Sequence, residues 1–192
     1  MISSLDHLII AVKDLDEAEK DYTKVFGMPP VWRGEHKELG TINSIFNFEN
    51  TYFELLASEG AGLGADLVNN ALKQDGEGLT GILLGTDNIK DVYTSISSAG
   101  FGIGEISDGE GSNSDNENIR RWQNLFLPPE LTRGLFSFVI EHTDGELPSS
   151  NHQTSSISKL DHLVINTNDA DGFISVYPVS YTHLTLPTIV DV

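Results

Sequence analysis

The sequence predicts an α+β protein made of two β-α-β-β-β modules. Apolar, β-branched runs and one helical pattern follow each other in this order twice, over residues 5–58 and 79–143. In both modules an Asp- or Asn-containing turn separates the first strand from the helix, which is typical of an N-cap. An eighteen-residue phrase also occurs twice, at residues 5–22 and 160–177, with eight identical positions. Such a repeat indicates a module that is used more than once.

The first module starts with a buried strand at residues 5–12, where Ile, Leu and Val surround a single histidine. Asp14 or Asp16 is expected to cap a helix that ends near Phe26, because Gly27 and a Pro-Pro pair follow. Three further strands are predicted at residues 31–33, 42–48 and 52–57.

The second module repeats this order after a short joining helix at residues 65–73. A strand is predicted at 79–86 and a helix, capped by Asp87 or Asn88, at 89–98. The remaining strand candidates are residues 103–106, 120–126 and 135–143. The acidic stretch DGEGSNSDNEN, residues 108–118, is interpreted as a solvated loop, since it lacks the ligand spacing of a calcium loop.

The predicted domain organisation extends beyond these two modules. Residues 1–146 are expected to form one domain, 147–158 a polar linker, and 159–177 the truncated start of a second such domain. The string VSYTHLTLPT closely resembles the in-frame translation of an adapter used in DNA sequencing. Residues 178–192 are therefore predicted to be read-through that is not native, and His183 is given no role.

The charge balance excludes several classes of partner. The chain has 29 acidic and 11 basic residues, a formal net charge of −18, which repels nucleic acid and anionic membrane surfaces. It has no cysteine, so disulfides and thiolate metal sites are excluded. The N-terminal residues lack the features of a signal peptide, and no apolar run approaches the roughly 20 residues of a membrane span. A cytoplasmic location is therefore expected.

Several motifs carry a resemblance to a known family. The phrase LDHLIIAVKDLDEAEKDYTKVFG and the strand-final TYFELLA and FVIEHT resemble the vicinal oxygen chelate superfamily, which includes glyoxalase I, extradiol dioxygenases and bleomycin resistance proteins. GTINSIFNFENTYFELLA and LPPELTRGLFSFVIEH look most like its glyoxalase-like domains. The resemblance implies that the paired modules form a curled mixed sheet around a cleft, with the helices on the outside.

The resemblance also implies a divalent metal ion, such as Mn, Ni, Zn, Fe or Mg. Its ligands would come from the first and last strands of each module, namely His7, Glu54 and Glu141. The fourth position is occupied by Gly81, which has no side chain to offer. Glu54 or Glu141 would serve as a catalytic base. A lone histidine on an apolar strand can instead be a core residue, and either glutamate can instead pair with an arginine.

Strand alternation gives a separate prediction of which side chains face the cleft. It predicts that the side chains of His7 and Glu54 lie on the faces of their strands that point to the cleft. In the last strand, Glu141 is expected to face the cleft together with Ser137 and Val139. The opposite, bulky face is expected to pack on a helix and consists of Phe136, Phe138, Ile140 and His142.

Five residues are candidates for contacting a substrate: Arg120, Arg121, Trp122, Trp32 and Asn43. One of the two arginines would bind a substrate carboxylate through two hydrogen bonds. Alternatively, the strand lies at the surface and one arginine points to solvent. Trp32, with Arg33 and His36 nearby, would line the mouth of the cleft or cap the sheet edge. Asn43 would bond a ligand or a turn.

Two functions from different classes follow. The favoured one is a metal-dependent lyase, isomerase or dioxygenase that acts on a small substrate with vicinal oxygens. The alternative is a metal-free module that sequesters a small molecule, as bleomycin resistance proteins do. The expected partner is a small-molecule substrate, together with a second copy of the chain in a homodimer or the second domain.

Overall fold

Two β-α-β-β-β modules join edge to edge in the computed structural model and close a barrel. The structure describes residues 2–113, 118–150, 153–165, 168–169 and 171–172. Around the barrel the strands follow the order β1-β4-β3-β2-β6-β7-β8-β5. The predicted α+β class and the paired modules are therefore confirmed.

The first module contains four strands and one helix. Its elements are β1 (Ile2–Ala11), α1 (Leu15–Phe26), β2 (Trp32–His36), β3 (Thr41–Asn47) and β4 (Tyr52–Ser58). Helix α1 begins where the carboxylate of Asp14 accepts a hydrogen bond from the backbone N–H of Glu17 at 2.9 Å. It ends at Gly27, whose φ of 69° is in the left-handed region that glycine adopts easily.

A helix connects this module to the second, which has the same order plus one short helical turn. The connecting helix is α2 (Leu63–Gln74). The second module comprises β5 (Gly78–Thr86), α3 (Ile89–Ser98), β6 (Ser107–Asn113), β7 (Ile119–Phe126), α4 (Pro129–Thr132) and β8 (Ser137–Asp144). Asn88 caps α3 by accepting from the N–H of Asp91.

Two seams close the barrel. At the first, β1 runs antiparallel to β5, and His7 pairs with Leu83. At the second, β2 runs antiparallel to β6, and Gly34 pairs with Asn113. Within each module the first and last strands are parallel neighbours, β1 with β4 and β5 with β8. These long-range pairings bring the first and last strands of both modules to one interior.

The second seam corrects part of the sequence prediction. The strand expected at residues 103–106 does not form, and the stretch predicted as a solvated loop contains β6 up to Asn113. Gly109 and Gly111 of β6 lie under the indole of Trp122, where a Cβ on Gly109 would overlap the ring. The glycines that indicated a loop therefore make room for an aromatic ring inside the barrel.

The hydrophobic cores lie between the barrel and its outer helices. One cluster packs α1 on β3 and β4, with Phe26, Phe46 and Leu55 at its centre. The other packs α3 on β5, β7 and β8, with Ile89 and Val139 among its members. Each module therefore buries its own core on the outside of the barrel, and the inside remains available for a ligand.

Described residues after β8, around Ile157 and Leu160, lie against the outside of the barrel. Ile157 donates its backbone N–H to the carbonyl of Phe26, and Asn50 exchanges two hydrogen bonds with the backbone of Leu160. The predicted boundaries of a linker and a second domain remain a prediction, and the proposed adapter-derived tail lies outside the described residues. Within the described parts, the chain contains no helix of the length and apolarity that a membrane span requires.

Candidate functional site

The interior of the barrel is a cavity of about 690 Å³. On the first-module side, His7, Asn43 and Glu54 form a polar wall beside apolar residues such as Ile9 and Ile45. Its second-module wall is largely apolar and includes Phe126, Phe136, Phe138 and Ile140. Helix α2 borders the same cavity with Leu63, Leu67 and Val68, among others. A volume of this size is typical of small-molecule sites.

His7 lies at the centre of the polar wall, on β1. Its Nδ1 is 2.6 Å from an oxygen of Asp6, and its Nε2 is 3.3 Å from Oε2 of Glu54. The ring stacks on Tyr52, with the two ring centres 4.2 Å apart. Burial by itself would lower the pKa of His7, but the hydrogen bonds to Asp6 and Glu54 outweigh it and raise the pKa. The surroundings therefore favour the imidazolium form.

Glu54 on β4 forms the other half of a buried ion pair with His7. Burial by itself would raise its pKa, but the hydrogen bond and charge of His7 outweigh burial and lower the pKa to about 2. Asn43 of β3 donates its Nδ2–H to Oε1 of Glu54 at 2.6 Å. The sequence analysis predicted that Asn43 forms a hydrogen bond with a ligand or within a turn. In the structure its hydrogen-bond partner is the carboxylate of Glu54.

A chain of polar side chains continues from His7 through Asp6 to His142 and Arg120, both of which line the cavity. The carboxylate of Asp6 lies 3.1 Å from Nε2 of His142, and Nδ1 of His142 lies 3.5 Å from a terminal nitrogen of Arg120. Burial by itself would raise the pKa of Asp6, but hydrogen bonds to His142 and His7 hold it well below its usual range. Asp6 therefore fixes the orientation of His7 through a charged hydrogen bond.

The last strand, β8, has the opposite orientation from the one predicted. Phe138, Ile140 and His142 face the cavity, whereas Val139 lies in the core beneath α3. The carboxylate of Glu141 accepts a hydrogen bond from the N–H of Ile89 at 2.8 Å, at the start of α3. The prediction that Glu141 faces the cleft was wrong, because the bulky face of β8 lines the ligand cavity rather than a helix.

The two modules differ where their metal ligands were expected. In the first module Ile9 of β1 pairs with Glu54 of β4, and in the second module Leu83 of β5 pairs with Phe138 of β8. Phe138 therefore places a phenyl ring where the first module has the carboxylate of Glu54. Gly81 lies beside Phe136, whose ring would be only 2.9 Å from a Cβ at this position. At these two positions the second module therefore offers apolar surface where the first offers His7 and Glu54.

The predicted substrate contacts divide between the cavity and the surface. Arg120 and Trp122 line the cavity, as strand alternation requires. Arg121 points outward and forms ion pairs with Glu110 and Asp144, both at 2.8 Å. Trp32 is buried beneath the guanidinium of Arg120. Of the two arginines, Arg120 alone is therefore placed to meet a ligand in the barrel.

Sequence reasoning missed Asp6, Tyr52, Asn124 and His142 as residues of this site, whereas His36, which was offered as a residue of the cleft mouth, does line the cavity. One signal for Asp6 was present, because both copies of the repeated phrase have Asp before His. The second copy forms the same contact, with Asp161 2.8 Å from His162. His142 was assigned to the helix side together with the rest of its face of β8. Asn124 gave no local signal, because only the closed barrel brings it to the cavity.

The metal ion implied by the resemblance has an incomplete set of ligands here. His7 and Glu54 present a nitrogen and an oxygen to the same point, and the buried Oδ1 of Asn43 has no hydrogen-bond partner in the described structure. In this part of the chain no three His, Asp or Glu side chains converge in a way that would hold a metal ion. The donors present do not fit the predicted set, so we derive no step through a metal.

The fold and this cavity define a class of protein, a barrel of paired modules that encloses a small-molecule site. Comparison with family models identifies the family within that class. The model described as "Glyoxalase-like domain" matches residues 5–178, so this chain belongs to the glyoxalase-like domain family. The predicted resemblance to the vicinal oxygen chelate superfamily is confirmed. A comparison with curated proteins gives no match.

Solved structures share the fold at low sequence identity. A Streptomyces coelicolor methylmalonyl-CoA epimerase in complex with 2-nitronate-propionyl-CoA is 21% identical, with a TM-score of 0.60 over 77% of this chain and 100% of that one. The Mycobacterium tuberculosis methylmalonyl-CoA epimerase is 19% identical, with a TM-score of 0.59 over 74% and 90%. A hypothetical protein from Bacillus halodurans is 18% identical, with a TM-score of 0.60 over 73% and 95%.

Proposed function

We propose that the domain is an isomerase- or lyase-type enzyme that moves a proton on a small carbonyl compound. The observation that carries this proposal is the buried His7–Glu54 pair, 3.3 Å apart, on the wall of a ligand-sized cavity. Ionisable groups with displaced pKa values in such a cavity are characteristic of functional sites. The similarity to epimerases in fold is consistent with proton transfer but does not carry the proposal.

The two side chains have complementary roles in this proposal. Glu54 takes a proton from the carbon next to the carbonyl, and the electrons of that C–H bond form an enolate. His7, held by Asp6, donates its Nε2–H to the enolate oxygen. Glu54 then gives the proton back: return to the same carbon allows exchange with solvent, and transfer to another carbon of the enolate gives an isomer, so that no other reactant is needed. A substrate that separates Glu54 from His7 also removes the main cause of its low pKa, which makes the carboxylate a stronger base.

The donors described above do not form the predicted metal-binding set with Glu141, and the proposed proton transfer uses no metal ion. The metal content of the purified protein, measured with and without chelator, is therefore part of the test.

The test is hydrogen exchange into D₂O, followed by NMR. The probes are 4-methyl-2-oxopentanoate and its neutral counterpart 4-methyl-2-pentanone, both of which have exchangeable protons next to a ketone. We expect the protein to accelerate loss of the C3–H signal by a factor on the order of 100 over buffer, as a positioned base does. Glu54→Gln is expected to remove this acceleration.

The matched control is Glu141→Gln, which removes a carboxylate on the other face of the barrel wall. It is expected to retain the exchange activity. If neither probe exchanges faster than in buffer, or if Glu54→Gln exchanges as fast as the wild type, the proposed proton transfer is wrong.

A second candidate function is binding without chemistry. It is favoured by the apolar second-module wall, where Phe138 stands in the place of a second carboxylate. Under this alternative the probes bind in the barrel, as seen by shifts of cavity resonances in protein NMR spectra, while their exchange rates remain those of the buffer.

A further inference from the structure

Arg120 has an unusual environment for a charged residue. It is only 7% exposed, and its guanidinium lies 5.9 Å from the ring centre of Trp32 and 5.6 Å from that of Tyr52. Its polar contacts are the Tyr52 hydroxyl and, at 3.5 Å, Nδ1 of His142. Its Nε–H has no hydrogen-bond partner in the described residues. The cation is therefore held in place by two aromatic rings, a hydroxyl group and an imidazole nitrogen.

The other described arginines have carboxylate partners. Arg33 pairs with Asp16 and Glu19, Arg121 with Glu110 and Asp144, and Arg133 with Asp169. Over the same described ranges, Arg120 forms no ion pair, although the chain has 29 acidic residues. The nearest carboxylates of the network, Asp6 and Glu54, are held by His7 and His142.

A buried cation without a counter-ion is unfavourable unless another group compensates its charge. Arg120 lines the barrel cavity, as do the apolar rings of Phe126, Phe136 and Phe138. Arg120 and His7 also contact the same Tyr52 ring. A small molecule bound over His7 and Glu54 therefore shares one cavity with the guanidinium and with the phenyl rings.

We propose that the ligand of the barrel is a carboxylic acid with an apolar substituent, and that Arg120 selects it by binding the carboxylate. The assignment of the reacting end to His7 and Glu54 rests on the proposed function. Arg120 matches a carboxylate because its Nε–H and a terminal N–H form a planar fork for two oxygens. The chain has a net charge of −18 and repels anions, so an anionic ligand needs a buried cation in order to bind.

Binding of the two probes to the full chain tests this assignment. The compounds differ only in a carboxylate against a methyl group. We expect wild-type protein to bind 4-methyl-2-oxopentanoate at least about tenfold more tightly than 4-methyl-2-pentanone, the factor typical of a charge-assisted pair. Arg120→Gln is expected to abolish this preference. Arg121→Gln, which removes the neighbouring surface arginine, is expected to retain it.

A second measurement does not depend on the stability of the Arg120→Gln protein. The ¹⁵N resonance of the Arg120 Nε, assigned by its absence in Arg120→Lys, is expected to shift with the acid and not with the ketone. Equal affinities for the two probes, an unchanged preference in a folded Arg120→Gln protein, or an unperturbed Nε resonance at saturating acid would each overturn the assignment.

The outcomes separate this inference from the proposed function. If Glu54→Gln still binds the acid tenfold more tightly and no protein form accelerates exchange, Arg120 selects acids and the proton transfer is wrong. If both probes exchange at Glu54 with the same affinity, the proton transfer stands and the selection by Arg120 is wrong.

Discussion

Glu54→Gln removes the charge that pairs with His7 while it preserves the size of the side chain. In the folded protein the pKa of Glu54 is lowered from 4.5 to about 2. At 1.36 kcal/mol per unit this corresponds to about 3 kcal/mol of stability, present above pH 4.5 and lost as the pH falls towards 2. The raised pKa of His7 contributes stability that is complete below its ordinary value of 6.5 and is lost as the pH rises through the folded value.

The pair therefore contributes most between about pH 4.5 and pH 6.5. We expect Glu54→Gln to be less stable than wild type by about 3 kcal/mol at pH 5.5, and nearly equal to it at pH 2. Urea unfolding followed by circular dichroism at constant ionic strength measures both curves. Glu105→Gln, which removes an exposed carboxylate, is expected to follow the wild type throughout. If the difference in unfolding free energy between Glu54→Gln and wild type is the same at about pH 2 as at about pH 5.5, the proposed ion pair is refuted.

Two further substitutions test the barrel seam and the corrected position of Glu141. Gly34→Ala places a Cβ against the backbone oxygen of Ser112 in β6, so we expect a loss of about 1–3 kcal/mol in urea unfolding; Gly102→Ala, where a Cβ meets nothing within 4 Å, serves as its control. Glu141→Ala removes the acceptor for the N–H of Ile89, so we expect a loss of about 1 kcal/mol and unchanged affinity for 4-methyl-2-oxopentanoate. Weaker binding of that probe would contradict the placement of Glu141 outside the cavity.

The elements set by local interactions could be read from the sequence. Asp14 and Asn88 were among the predicted caps, and helix α3 has the predicted bounds of Ile89–Ser98. Each cap is a hydrogen bond between residues only three positions apart, so both partners can be recognised in a short stretch of sequence. His7 and Glu54 were also predicted to face one cleft, since each interrupts an apolar strand with a group that needs a partner. The structure brings them together.

Other features depended on contacts between distant segments. Alternation along β8 predicted which side chains share a face of the strand. Which of the two faces points into the cavity and which packs on a helix depends on how β8 pairs with the neighbouring strands. Strand β6 has a polar, glycine-rich sequence that leaves room for Trp122 of β7, and its other partner, β2, is distant in the chain.

The sequence by itself predicted the β-α-β-β-β order of both modules, narrowed the caps of α1 and α3 to two residues each, and singled out His7 and Glu54 as polar residues of apolar strands. The tertiary structure decided that the barrel closes through β6, that Glu141 caps a helix, and that Arg120 is buried without a carboxylate partner among the described residues. The physical reason is the range of the interactions. Caps and periodicity act within a few residues, whereas a cavity is formed by strands that only the closed barrel makes neighbours.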